Sequence, residues 1–284
     1  MKKLFIFFLA SLSITSAFSQ PGTPIQHSGS KPFVLGEIRE IESAILAEKR
    51  ILNIYLPAGY KAGDTTKYPV IYLLDGSADE DFIHIAGLVQ FNSFEWVNRL
   101  PKSIVVGIAT VDRKRDFTFP TSIEADKKKY PSTGQSARFI DFIDKELQPF
   151  IQSAYKINSS KTLIGQSLGG LLATEILFKK PYLFNKYIIV SPSLWWNNGS
   201  LLNDSSLLSS QNIKDFTQVY ISAGKEGLTP TTLPRMMEVD ANLLAEKIRS
   251  ARIKNVRLEF DYLPQEDHAT ILHQAVLNAF KWMY

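Results

Sequence analysis

Cysteine is absent from the 284-residue sequence. That lack excludes disulfides, thiolate nucleophiles, cysteine-based zinc sites and a lipid-modified cysteine. It says little about compartment, because a chain of this length buries enough core to stand without cross-links. Histidine is scarce, at four copies, so imidazole chemistry has few places to reside. No apolar run nears the roughly 20 residues that a membrane-spanning helix needs. Charge of one sign is not in large excess: 32 basic residues face 28 acidic ones, for a net charge of +4. Only Lys127-Lys128-Lys129 and Arg113-Lys114-Arg115 cluster. Such a balance gives weak attraction to anionic surfaces and no nucleic-acid module. Neither an internal repeat nor a second domain boundary is visible.

What is present begins with Lys2 and Lys3, a short apolar run (Leu4-Phe5-Ile6-Phe7-Phe8-Leu9-Ala10) and a small, polar stretch to Gln20. This is the three-part pattern of a secretory signal peptide over residues 1–19. Residues 20–32, rich in Gly, Pro and Ser, read as a flexible lead-in. The remainder, 33–284, suits one domain. The expectation is an exported protein, periplasmic or secreted, with no stable membrane insertion after cleavage.

Beyond the lead-in, apolar strand-like runs alternate with helical patterns. Residues 50–57, 68–74, 103–108, 162–164, 187–190 and 219–221 read as strands, mostly of the continuous apolar kind found at the centre of parallel sheets. Val256, Leu258, Phe260 and Tyr262 alternate with Arg257, Glu259 and Asp261, the period-two pattern of a half-exposed strand near a sheet edge. Phe139, Phe142, Ile143, Leu147, Phe150, Ile151 and Ala154 fall on one helical stripe, with Pro149 predicting a kink or a late break. Residues 171–179, 236–252 and 271–282 are further helices. The alternation predicts an α/β fold, a mainly parallel central sheet with helices on both faces. The irregular stretches 109–133 and 192–215 read as loops over a ligand site.

Gly165-Gln166-Ser167-Leu168-Gly169 sits directly after an apolar strand and directly before a helical run. A serine alcohol is a weak nucleophile and must meet a base and a carbonyl together. A sharp strand-to-helix turn holds its oxygen clear of the sheet, and Gly165 and Gly169 leave room for that turn. The following helix start directs N–H groups at developing negative charge, which makes the Leu168 N–H the first expected oxyanion donor.

In this arrangement the base follows the nucleophile and the acid in chain order. His268 lies in the polar loop after the last strand, where ligand crevices of open α/β sheets form. His273 falls within a helical pattern, His27 in the lead-in, and His84 beside Asp79, Glu80 and Asp81 with no calcium- or zinc-type spacing. No metal or organic cofactor is expected. Glu226, just after the strand at 219–221, leads as the acid that orients His268. Glu238, Asp240, Asp267 and Glu266 remain alternatives, as does a dyad without an acid.

With these residues in view, the chain resembles the esterase family that takes in esterase D, siderophore esterases, feruloyl and acetylxylan esterases and mycolyltransferases. The likeness spans about residues 35–284 and is strongest in the stretches from Tyr68 to Gly76, Val105 to Ile108, Arg113 to Asp116, Gly165 to Gly170 and Ser191 to Trp196. It is closest to the siderophore-esterase branch. The resemblance implies the α/β-hydrolase fold, a second oxyanion N–H at Gly76 or Ser77, and Arg115 and Trp195 near the substrate. An arginine there could hold an anionic or phenolic oxygen, and a tryptophan could stack on an aromatic acyl group. Gln166 departs from the histidine common in the family. The expected activity is a serine carboxylic ester hydrolase acting through an acyl-enzyme. Its substrate would be a siderophore lactone or a feruloyl or acetyl ester of polysaccharide. An acyltransferase on the same machinery and a non-catalytic binding protein are the alternatives.

Overall fold

The strands are apolar because the sheet they form is covered on both faces. A computed structural model describes residues 29–284 except 64, 205–212, 230, 232 and 233. The expected leader, 1–19, and most of the lead-in lie outside the described residues. Eight strands form one sheet: β1 (Glu37–Ser43), β2 (Glu48–Tyr55), β3 (Tyr68–Leu73), β4 (Ile104–Ile108), β5 (Ile157–Gln166), β6 (Lys186–Val190), β7 (Thr217–Gly224) and β8 (Val256–Leu263). Their spatial order is β1-β2-β4-β3-β5-β6-β7-β8. β2 runs antiparallel to both neighbours, and every other pairing is parallel.

The helices are α1 (Phe82–Asn92), α2 (Arg113–Phe117), α3 (Glu124–Lys129), α4 (Ser136–Phe142), α5 (Gln148–Ala154), α6 (Leu168–Lys179), α7 (Trp196–Asn203), α8 (Met237–Ser250) and α9 (Ile271–Met283). Alternation along β3 divides the interior. Ile71 and Leu73 pack with side chains of α1 and α9 on one face, and Val70 and Tyr72 with those of α4, α6 and α8 on the other. Each fully buried Ile, Leu or Val contributes about 1.5–3 kcal/mol, so the two layers hold the helices on the sheet. Residues Leu35–Tyr284 form one compact unit.

Several expectations shift in detail. The 162–164 run extends to ten residues in β5, because its polar amino half, Ile157 to Lys161, pairs at the sheet's end rather than in its apolar centre. β1, whose exposed polar positions carry no strand periodicity, forms only by pairing with β2. β8 does lie at an edge. The kink predicted at Pro149 falls before it: Ile143–Leu147 make a π-helical turn in which the Gln148 N–H reaches the Ile143 carbonyl. Pro149 lacks an N–H and crowds the carbonyl four residues back, which favours a wider turn there. The stretch 109–133 is not wholly loop, since it holds α2 and α3, and 192–215 holds α7, with 205–212 outside the described residues.

Candidate active site

The carboxyl ends of the parallel strands lie in register. Gln166 of β5 pairs with Val190 of β6, Val190 with Ser222 of β7, and Gly224 with Leu263 of β8. The residues that follow these ends therefore meet along one rim.

Ser167 stands at the β5–α6 bend with φ 58° and ψ −118°. A non-glycine residue in that region carries strain of order 1–3 kcal/mol, which persists only when surroundings hold it. Here the Ser167 N–H donates to Val190 O (3.0 Å), and its carbonyl accepts from the N–H groups of Leu171 and Ser193 (both 2.9 Å). Gly165 is obligatory, since a Cβ there would stand 2.4 Å from the Gly169 carbonyl oxygen. Gly169 is less constrained, with its nearest contacts at 3.4 Å. Two neighbouring strand ends share the left-handed backbone: Asp75 after β3 (φ 55°) and Ser191 after β6 (φ 42°).

The loops after β7 and β8 bring Glu226 and His268 together, with Nδ1 of His268 2.7 Å from Oε2 of Glu226. Two further contacts position the pair. The Lys225 N–H donates to Glu266 O at 2.8 Å, and the side-chain amide of Gln166 donates to the His268 carbonyl. The Glu226 carboxylate is 2% exposed. Burial raises its pKa, but hydrogen bonds from His268 and Ser191 outweigh that and hold it below the usual glutamate range. An ionised Glu226 requires the proton on Nδ1 of His268, which leaves Nε2 as the free acceptor. The other acids are engaged elsewhere. Asp240 pairs with Arg235, Glu238 accepts the Gly227 N–H, and Asp267 caps the turn into α9.

The Ser167 Oγ makes its hydrogen bond to Ser193 Oγ, at 3.2 Å, and none to His268. Ser193 and Ser191, whose hydroxyl donates to Glu226, are contacts that the sequence reading missed. The repeated serines of Ser191-Pro192-Ser193 were the available signal.

Of the expected oxyanion donors, the Leu168 and Ser77 N–H groups make no hydrogen bond within the described chain. The Gly76 N–H is already donated to Ile108 O at 3.0 Å, which removes Gly76 from that pair. Its small size serves packing instead, because a Cβ would lie 2.4 Å from the Gly107 Cα. Arg115 is also reassigned: it is tied to Glu48 (2.5 Å) and Asp116 (2.8 Å), beside the fully buried Arg50, which bonds the same two carboxylates. Arg113 instead reaches the bend, with two bonds to Asp75 (2.7 and 2.9 Å) and one to the Gln166 carbonyl (3.2 Å). Two residues, about half a helical turn, separate these two fates. Trp195 is half-buried against the core, and its Nε1 is buried without a partner. His273 lies on α9, 3.3 Å from His84, which also contacts Asp81.

A cleft of about 1220 Å³ lies at the opposite, amino ends of β5, β6 and β7 and includes none of these groups.

Residues 43–270 match the family described as "Putative esterase". The chain belongs to that family. It is 28% identical to the ferri-bacillibactin esterase BesA of Bacillus subtilis over 280 residues, spanning 94% of this chain and 91% of the relative. Among solved structures, it resembles an IroE-like serine hydrolase from Shewanella oneidensis, with 30% identity and a TM-score of 0.76, over 88% of this chain and 80% of that one. The BES protein from Bacillus cereus is similar at 28% identity and a TM-score of 0.76, over 91% and 99% of the two chains. The fold is that of the α/β-hydrolases, and this esterase is a serine carboxylic ester hydrolase.

Proposed function

We propose that the esterase hydrolyses siderophore-type esters through an acyl-enzyme on Ser167. The observation that carries the mechanism is the 2.7 Å contact between His268 Nδ1 and a buried Glu226 beside the bend that holds Ser167. Ser167 Oγ attacks the ester carbonyl while His268 Nε2 takes its proton, and Glu226 stabilises the imidazolium. The N–H groups of Leu168 and Ser77 receive the oxyanion. His268 then protonates the leaving alkoxide, and water repeats the sequence to release the acid. Siderophore esters are favoured by the relative named for ferri-bacillibactin, which aligns over nearly its whole length. Export by the amino-terminal leader belongs to the same proposal.

The test measures hydrolysis of a ferric catecholate trilactone and of a short nitrophenyl ester. The wild type is expected to cleave both, and Ser167→Ala to lose on the order of 10⁶ in kcat. Undiminished turnover in Ser167→Ala overturns the mechanism. Cleavage of the nitrophenyl ester with the trilactone left intact overturns the substrate.

A further inference from the structure

We propose that Ser193 is a positioning residue that parks the Ser167 oxygen between turnovers, so that acylation starts with Ser167 turning from Ser193 toward His268. The inference rests on Ser167 being the nucleophile. Its basis is the choice of partner: Ser167 Oγ bonds Ser193 Oγ at 3.2 Å and does not bond His268. Ser193 is 1% exposed and is held by its own backbone. Its N–H donates to the Ser167 carbonyl (2.9 Å), and its carbonyl accepts from Trp196 (3.1 Å). The parked bond is therefore between two groups whose main chains are already tied together.

The segment reaches the acid as well. Ser191 is fully buried, sits in the left-handed region, and donates its hydroxyl to the Glu226 oxygen that His268 does not use. The Ser191 N–H extends the β6–β7 ladder through Ser222 O at 2.8 Å. One short segment thus bonds the acid through Ser191 and the nucleophile through Ser193. The buried Ser193 hydroxyl has no other partner among the described residues, so the two alcohols satisfy each other when no substrate is bound.

Parking costs acylation, because the reactive rotamer must break a hydrogen bond. Its effect on deacylation is smaller, since an esterified Ser167 oxygen has no proton to give and can only accept weakly from Ser193. A hydrogen bond of this type shifts such an equilibrium by about two- to tenfold. Ser193→Ala is expected to raise the second-order rate of Ser167 labelling by a fluorophosphonate, and the burst rate with a nitrophenyl ester, by about that factor. The deacylation rate constant should change by less than the acylation rate constant. Ser193→Cys, nearly the same size with a weaker hydrogen bond, should fall between the two, and it carries the test if Ser193→Ala does not fold. Labelling at an unchanged or lower rate in the folded variants overturns the parking role alone. Labelling that persists in Ser167→Ala overturns the nucleophile on which it rests.

Discussion

Two of the places where nitrogen-bearing side chains meet carboxylates are built differently. At the rim, one buried carboxylate, Glu226, faces an imidazole that is 44% exposed, and the imidazole's second nitrogen accepts no bond from the described residues. Under the sheet's antiparallel flank, Arg50 and Arg115 share Glu48 and Asp116, two charges of each sign closed on one another. Arg50 also lies 5.2 Å from the ring centroid of Phe139. The first arrangement leaves a reactive atom facing outward and is held by strained backbone around it. The second leaves no free carboxylate and locks β2 to α2. The comparison separates charge retained for chemistry from charge retained for position.

Substitutions at the two places should therefore fail in different assays. Glu226→Gln keeps the shape but no longer selects the Nδ1 proton, so kcat should drop by about 10³–10⁴-fold while urea unfolding changes far less. A loss of stability as large as the loss of rate would erase the distinction. Asp116→Ala leaves the buried Arg50 short of an acceptor, and should cost about 3–5 kcal/mol in urea unfolding. The folded fraction should still be labelled by a fluorophosphonate, and loss of that labelling would tie the cluster to the chemistry. Arg113→Lys lies between the two cases. It keeps the charge but loses the forked grip on Asp75, and kcat/KM should fall about tenfold, as for one charge-assisted bond. An unaltered kcat/KM would move Arg113 into the structural class.

The smallest expected effect is in the pH dependence of stability. The Glu226 carboxylate is held below its ordinary range in the native state. Just under that range the unfolded chain binds more protons than the folded one, so stability from this group is full above it and is lost as pH falls through the lowered native value. Glu226→Gln should flatten that acid slope in urea unfolding at stepped pH. An unchanged slope would show that Glu226 gains no stabilisation from its two partners.

Local pattern was enough for a good part of this. The apolar runs marked the central strands, and the strand–Gly165-Gln166-Ser167-Leu168-Gly169–helix sequence marked the bend, because both are encoded by neighbours in the chain. His268 and Glu226 were legible from their places just after strands. Arg113 and Arg115 were not separable, since a basic triplet carries no record of which side chain faces Asp75 and which faces Glu48. Nor could the occupied Gly76 N–H be foreseen, because its acceptor, Ile108, arrives from another strand. Ser193 beside Ser167 is of the same kind: 26 residues apart in sequence, they meet because β5 and β6 end in register. Short-range periodicity and turn chemistry specify elements and their ends. Which polar atoms share a hydrogen bond depends on how strands stack across the sheet, a relation that exists only once the chain has folded.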